Sequence, residues 1–391
     1  MLAEHIGKEM TRRGKTRLFM IGGRTDAKDM WAAVRQLTGR QHEAAAVDGV
    51  TAETLNQHYA AISTDCSYQP PVRKVPTTPI SQSQPIPYWQ VFRVLDQLCP
   101  TATGLDELPA WFLRLGAPVF YKPIARLFNL SLTTSTVPQQ WKKACIRPIP
   151  KVSAPKQHAD FRPISITPVL TRIMERIVVS RYLYPAFLSP PPALSFSDQF
   201  AFRPTGSTTA AITSLLHIVT NLLTTNPYVI VISLDFSKAF DTMRHSTLLE
   251  KLAKLDMPDH VYNWMVDFFS GHSHCTEYRG QTSALQDITA SIIQGSGLGP
   301  AAYVVNAGDL KAVTPGNQLV KYADDTYLII PASNVDSRTA EVNNVETWAP
   351  ENNQALNRAK STEIIFTDPR RSRVCRTMSF PAVRSIHTRS S

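Results

Sequence analysis

The chain has 391 residues, 43% of them hydrophobic, and a formal net charge of +10. That length and hydrophobic content bury a sizeable core and exclude a disordered or fibrous chain, while the charge suits a polyanionic partner, nucleic acid being the natural one. The five cysteines, Cys66, Cys99, Cys145, Cys275 and Cys375, stand far apart without a CxxC pair, which excludes a zinc ribbon or disulfide framework and implies a reducing compartment; no apolar run approaches the roughly 18 residues of a membrane span.

Residues 1–68 read as a separate N-terminal region in which Thr25 or Asp26 caps a helix with Trp31, Val34 and Leu37 on one face, stopped by Gly39. Residues 69–87 hold six prolines in nineteen positions and read as an extended linker. The main domain is expected over 88–366. Within it, Thr167-Pro168 starts a helix with Val169, Leu170, Ile173, Met174, Ile177 and Val178 at helical spacing. Pro190-Pro191-Pro192 breaks the pattern, and Ser207 caps a helix with Ala211, Ile212, Leu215, Leu216, Val219 and Leu222 along one side. Two further stripes follow, Leu248, Leu249, Leu252 and Leu255, then Trp264, Met265, Phe268 and Phe269, with Gly271 as a stop. These stripes read as core. The stretch 367–391 carries Arg370, Arg371, Arg373 and Arg376 without helical periodicity and reads as a basic, solvated tail that contacts nucleic acid nonspecifically. Helices against a small antiparallel sheet predict an α+β domain.

Two segments carry chemistry. Val229 to Leu234 reads as a buried strand ending in Asp235, and Tyr322-Ala323-Asp324-Asp325 lies between the apolar runs Leu319-Val320 and Tyr327-Ile330 as the tip of a β-hairpin. An Asp-Asp pair by itself is an ordinary turn. With Asp235 as a third carboxylate at the same sheet edge the pattern changes, because clustered carboxylates repel one another unless a cation neutralises them, and hard oxygen donors suit Mg²⁺ or Mn²⁺. The chemistry that needs such a cluster is phosphoryl or nucleotidyl transfer with two ions about 4 Å apart.

In order and spacing, Leu234-Asp235-Phe236-Ser237-Lys238-Ala239-Phe240-Asp241, Gln294-Gly295-Ser296-Gly297-Leu298-Gly299-Pro300 and Tyr322-Ala323-Asp324-Asp325 resemble the reverse transcriptases of non-LTR (LINE-type) retrotransposons. Trp141-Lys142-Lys143, Ile146 to Lys151 and Phe161 to Ser165 resemble the fingers motifs, and Gln199 to Arg203 with Gly206 to Thr209 the segment after them. Thr103 to Asp106 with Leu108-Pro109, and Leu356-Asn357 with Lys360 to Glu363, resemble the flanking motifs, so the likeness runs from about residue 85 to 366.

The resemblance implies a right-hand polymerase fold: fingers, and a palm whose small antiparallel sheet is backed by helices. It implies RNA-directed DNA polymerase activity on an RNA template, a DNA primer and dNTPs, with two Mg²⁺ (or Mn²⁺) ions. Asp235 and Asp324 would hold both ions, with Asp325 as a weaker ligand and the Phe236 carbonyl as a further donor. Phe240 would exclude a 2′-hydroxyl, Gln294 and Gly295 would lie along the incoming nucleotide, Lys151 and Arg162 would grip its triphosphate, and Lys360 would protonate the leaving pyrophosphate. Only 25 residues follow Phe366, none resembling a primer grip or thumb, and residues 1–68 leave no room for an endonuclease, so both are expected to be missing. An intracellular site, nucleus or cytoplasm, is expected. The alternative reading is a catalytically inactive nucleic-acid-binding remnant; an RNA-dependent RNA polymerase or a maturase shares the paired aspartates but is disfavoured by Phe240 and by the lack of a maturase-like domain. The role of residues 1–68 and the oligomeric state are left open.

Overall fold

The computed structural model describes residues 49–75, 84–293 and 295–368; the helix expected around Trp31, Gln294 and the arginine-rich tail lie outside them. In chain order, α1 (Ala52–Ile62) starts at Thr51, whose Oγ1 accepts from the Thr54 N–H at 3.1 Å. Helices α2 (Tyr88–Asp96), α3 (Ala110–Leu115) and α4 (Ala117–Thr133) lead into a hairpin of β1 (Lys143–Pro150) and β2 (Phe161–Ile166). After α5 (Val169–Val178) and α6 (Thr208–Leu223) come β3 (Tyr228–Leu234), the short β4 (Phe236–Ser237), α7 (His245–Leu252) and α8 (Asp259–Phe268). Strands β5 (His272–Tyr278), β6 (Gln281–Thr282) and β7 (Gln286–Ile288) precede α9 (Gly299–Asn306). The chain continues through β8 (Gln318–Tyr322), β9 (Asp325–Pro331), α10 (Arg338–Glu351), β10 (Ala355–Leu356) and β11 (Thr362–Thr367).

These elements make the expected α+β architecture with two principal sheets. One has the order β2-β1-β5-β6 with β7 also on β5, and its β1–β5 pairing is parallel. The other is an antiparallel sheet of four strands, β11-β3-β9-β8. Strand alternation explains its unbroken apolar run: Ile230, Ile232 and Leu234 enter the main core with Leu328 and Ile330, while Val229 and Val231 pack on the opposite face with Ala211 and Val219 of α6. Trp264 on α8 is fully buried, and its indole N–H donates to Ser131 Oγ of α4 at 2.9 Å, so the core helices are joined by a satisfied polar contact as well as by apolar packing.

The helix starts follow the sequence closely. Pro168 precedes α5, and the Ser207 hydroxyl caps α6 by accepting from the Ala210 N–H at 3.0 Å. The stripe on α6 is narrower than its spacing suggests: Ile212 and Leu216 are exposed, because the helix covers the sheet through Ala211, Val219 and the half-buried Leu215 and Leu222. Residues 49–68, which the sequence assigns to a separate region, pack onto the first sheet instead: Leu55 and Tyr59 join Ile146 and Phe161, and the Thr289 and Ala290 N–H groups donate to Ser63 O at 3.1 and 2.9 Å. A helix of this length has too little surface to stand alone and buries its apolar face on the nearest sheet. The described parts of 69–87 form neither helix nor strand and are anchored: Arg73 pairs with Asp267 at 2.6 Å and Ile86 is buried.

Candidate active site

Register brings the acidic residues together. The last β3–β9 pair is Leu234 with Thr326, so Asp235 and Asp325 stand one step beyond it on adjacent strands, and Asp324 occupies the turn that closes β8 onto β9 at the Tyr322–Asp325 pair. Asp235 is fixed from behind: its N–H donates to Ser361 Oγ at 3.3 Å and its carbonyl accepts from the Asn357 N–H at 2.7 Å, and the Ser361 hydroxyl in turn donates to Asn357 O at 2.9 Å. The segment before β11 is therefore the support of the Asp235 backbone.

The electrostatics agree with the register. Burial first, then the charges of Asp325 and Asp235, push the Asp324 carboxyl above the ordinary carboxylate range, opposed by a backbone hydrogen bond; Asp325 is raised by burial and by Asp235. Among the described residues no lysine or arginine forms an ion pair with any of the three. This is a set of hard, uncompensated oxygen donors and fits a divalent cation. No three His, Cys, Asp or Glu side chains among the described residues are arranged to hold a metal ion by themselves. A closed cage is not what Mg²⁺ requires, since it takes one or two carboxylates and completes its octahedron with water and substrate phosphate.

Around this edge the other nominated residues separate into groups. Phe240 is half-buried, stacked on Tyr303 with ring centroids 4.6 Å apart and edge-on to Phe202 at 6.3 Å, so its ring is held on two sides. Phe236 pairs with Leu356 while its ring packs against Trp348 in the core. Gly295 has φ +115°, and a Cβ there would stand 2.4 Å from Ser165 O, so this turn lies directly against β2 and requires glycine.

Lys151 and Arg162 sit at the loop end of the β1–β2 hairpin, both exposed, with Lys151 Nζ donating to Ala159 O at 2.9 Å. Partial burial, then the positive charges of Lys238, Arg162 and Lys360, hold Lys151 below the usual lysine value, with Asp241 acting in the opposite direction. Cations from the first sheet, from the turn after Asp235 and from the segment before β11 therefore share one electrostatic environment. Lys238 was not singled out from the sequence, although it lies inside the Asp235 motif.

Residues 149–381 match the sequence profile of the family described as reverse transcriptase (RNA-dependent DNA polymerase). The chain belongs to this family. Its relatives are the ones the motifs indicated: it is 28% identical over 287 residues to the RNA-directed DNA polymerase from mobile element jockey of Drosophila melanogaster, covering 68% of this chain and 30% of that protein. It is 25% identical over 289 residues to the probable RNA-directed DNA polymerase from transposon BS of the same fly, covering 71% of this chain and 31% of that one. The chain thus spans about a third of the length of these relatives. A solved structure of apo telomerase from Candida tropicalis, truncated from its C-terminal domain, aligns over 59% of this chain and 51% of its own with TM-score 0.41 and 15% identity, too slight a likeness to build on.

Two supports of this candidate site have no role in the sequence reading, although Gln199 opens one of its motifs. Glu175 of α5 is wholly buried behind the glycine-rich turn; its Oε2 accepts from the Leu298 N–H at 2.8 Å and from the Ser296 hydroxyl, while Oε1 has no partner. Burial pushes its carboxyl up to about 7 against those hydrogen bonds. Glu175 lies off the apolar stripe of α5, on the side that carries Thr171 and Arg172, so periodicity gave no signal of its burial. The second support is Gln199, whose side chain reaches the hairpin tip.

Proposed function

We propose that this chain forms the fingers and palm of a reverse transcriptase, the β2-β1-β5 sheet serving as fingers and the β11-β3-β9-β8 sheet as palm, and that it extends a DNA primer along an RNA template with dNTPs. The observation that carries this reading is the meeting of Asp235, Asp324 and Asp325 at one sheet edge without a basic ion-pair partner among the described residues. Two Mg²⁺ ions, when bound, would lower the pKa of the primer 3′-hydroxyl and neutralise charge on the leaving pyrophosphate.

The chain's own residues supply the rest. Asp235 and Asp324 would hold both ions, with Asp325 and the Phe236 carbonyl as further donors. Arg162 grips the triphosphate as a bidentate fork and Lys151 as a point charge. Gln294 and Gly295 lie along the incoming nucleotide, where glycine admits close backbone approach. Phe240, braced by Tyr303, fills the space a 2′-hydroxyl would need. Lys360 donates a proton to the departing pyrophosphate. The net charge of +10 suits a nucleic-acid partner, and the polymerase reading carries with it an intracellular site.

The test is incorporation of dTTP on poly(rA)–oligo(dT) with Mg²⁺, comparing the wild-type chain with Asp324→Ala. Wild-type extension that falls at least about 100-fold in the variant is expected, the scale of losing preorganised charge stabilisation. Equal extension by both, or none by the wild type at any concentration, sinks the reading.

A further inference from the structure

The tip that carries Asp324 is held in a conformation it would not keep alone. Ala323 has φ +57°, a left-handed conformation in which a Cβ is crowded, in a two-residue turn where hairpin geometry demands a positive φ. Glycine or asparagine is the usual solution at such a position. Here the turn carries alanine, and a side chain from far away in sequence meets it.

Gln199 is 2% exposed, and its amide engages both polar groups of the Ala323 backbone: Oε1 accepts from the Ala323 N–H at 2.9 Å and Nε2 donates to Ala323 O at 3.2 Å. The same Oε1 accepts from the Ala201 N–H at 3.0 Å, which fixes the rotamer of the clamp. The segment around Gln199 is itself docked on β8, with the Lys321 N–H donating to Asp198 O at 2.7 Å and the Phe200 N–H to Lys321 O at 2.8 Å. Beneath it, the buried Lys321 ammonium pairs with Asp198 at 2.9 Å and donates to Ala307 O and Leu310 O at 2.9 and 2.6 Å. The amide is thus presented from a rigid base and behaves as one more residue of the sheet, paired to the turn.

We propose that Gln199 is a positioning residue for the reaction: by clamping Ala323 in its left-handed conformation it holds the Asp324 carboxylate where a divalent cation can use it. The proposal rests on the polymerase reading, which gives Asp324 its role. It assigns Gln199 no contact with substrate. The cost of losing the clamp should therefore fall on cation affinity and on the chemical step, leaving nucleotide binding nearly untouched.

The variant that isolates the clamp is Gln199→Met, which keeps length and shape while removing all three hydrogen bonds. Calorimetric titration with Mn²⁺ alone, with Asp324→Ala as the reference for a lost ligand, should show affinity about 10-fold weaker in Gln199→Met, the scale of loss for an outer partner that orients a metal ligand. Primer extension should fall about 10–100-fold in kcat with the dTTP KM within about twofold, the cost of a displaced catalytic group. The decisive arm is rescue: Ala323→Gly adopts a positive φ unaided, so Gln199→Met with Ala323→Gly should return to within about threefold of wild type. A defect in general packing would not respond to that second change.

Wild-type Mn²⁺ affinity in a folded Gln199→Met chain, or no rescue by Ala323→Gly, overturns the proposal. Should Gln199→Met fail to fold, amide hydrogen exchange in the wild-type chain decides: the Ala323 N–H is expected to be as protected as that of Val320, and free exchange overturns the clamp. Mn²⁺ binding that depends on Asp324 and Gln199 without any extension would sink the polymerase reading and leave the clamp standing. Extension that depends on Asp324 while ignoring Gln199 does the reverse.

Discussion

In the proposed reaction Phe240 is the one ring that decides between two sugars. Its stack on Tyr303 and edge contact with Phe202 leave it little freedom to move aside, so the discrimination belongs to ring volume and not to a hydrogen bond. Phe240→Ala should lower the preference for dTTP over UTP, read as the ratio of kcat/KM values on poly(rA)–oligo(dT), by about 10–100-fold; an unchanged ratio would return Phe240 to the core. Glu175 makes a different prediction, because its carboxyl is raised from an ordinary value of 4.5 to about 7 in the fold. An acid raised in this way favours the folded state while protonated. Its contribution is complete below pH 4.5 and is lost as pH climbs through 7. Glu175→Gln removes the ionisation, so its stability relative to wild type should be greater at pH 8 than at pH 5 by about 2 kcal/mol in denaturant melts. A pH-independent difference would mean that the wild-type carboxylate ionises without penalty.

At the scale of elements, α1 decides how far the folded domain extends. Leu55 is fully buried between α1 and the first sheet, and Asp65 just beyond the helix pairs with Arg244 at 2.9 Å. The energy is mainly in the apolar contact, since the pair is partly solvated on the arginine side. Leu55→Ala should destabilise the whole domain by about 2–4 kcal/mol in urea with an unchanged slope, as for other buried leucines. A loss under about 0.5 kcal/mol would instead make residues 49–68 a detachable region. The other helices bury their stripes in two ways: α6 covers β3, β8 and β9, whereas α2, α3 and α4 pack on one another and α4 on α8.

For the whole molecule the governing quantity is the net charge of +10, which attracts a phosphate backbone without reading its sequence. Binding of an RNA–DNA hybrid should weaken with salt along a log–log slope of about −5, corresponding to roughly six neutralised phosphates, and Asp324→Ala should leave that slope unchanged. A shallow slope would mean that apolar or base contacts dominate. The cations gathered near Lys151 belong to this field, but their grouping arises only because tertiary packing brings Lys238, Arg162 and Lys360 from separate segments close to it.

What the sequence determined by itself was everything that rests on short-range order. The continuous apolar run ending in Asp235, the turn at Ala323-Asp324, the Ser207 cap and the stripe on α5 are local, so their elements and the carboxylates at their ends were legible before any packing was known. Tertiary structure alone decided the long-range partners. The Gln199 amide meets a turn 124 residues away, Leu55 finds Ile146 and Phe161, and Ile212 and Leu216 stay exposed although their spacing matches their buried neighbours. The physical reason is that periodicity states which face is apolar, whereas what covers that face, and which buried amide or carboxylate supports a strained turn, depends on how separate elements dock.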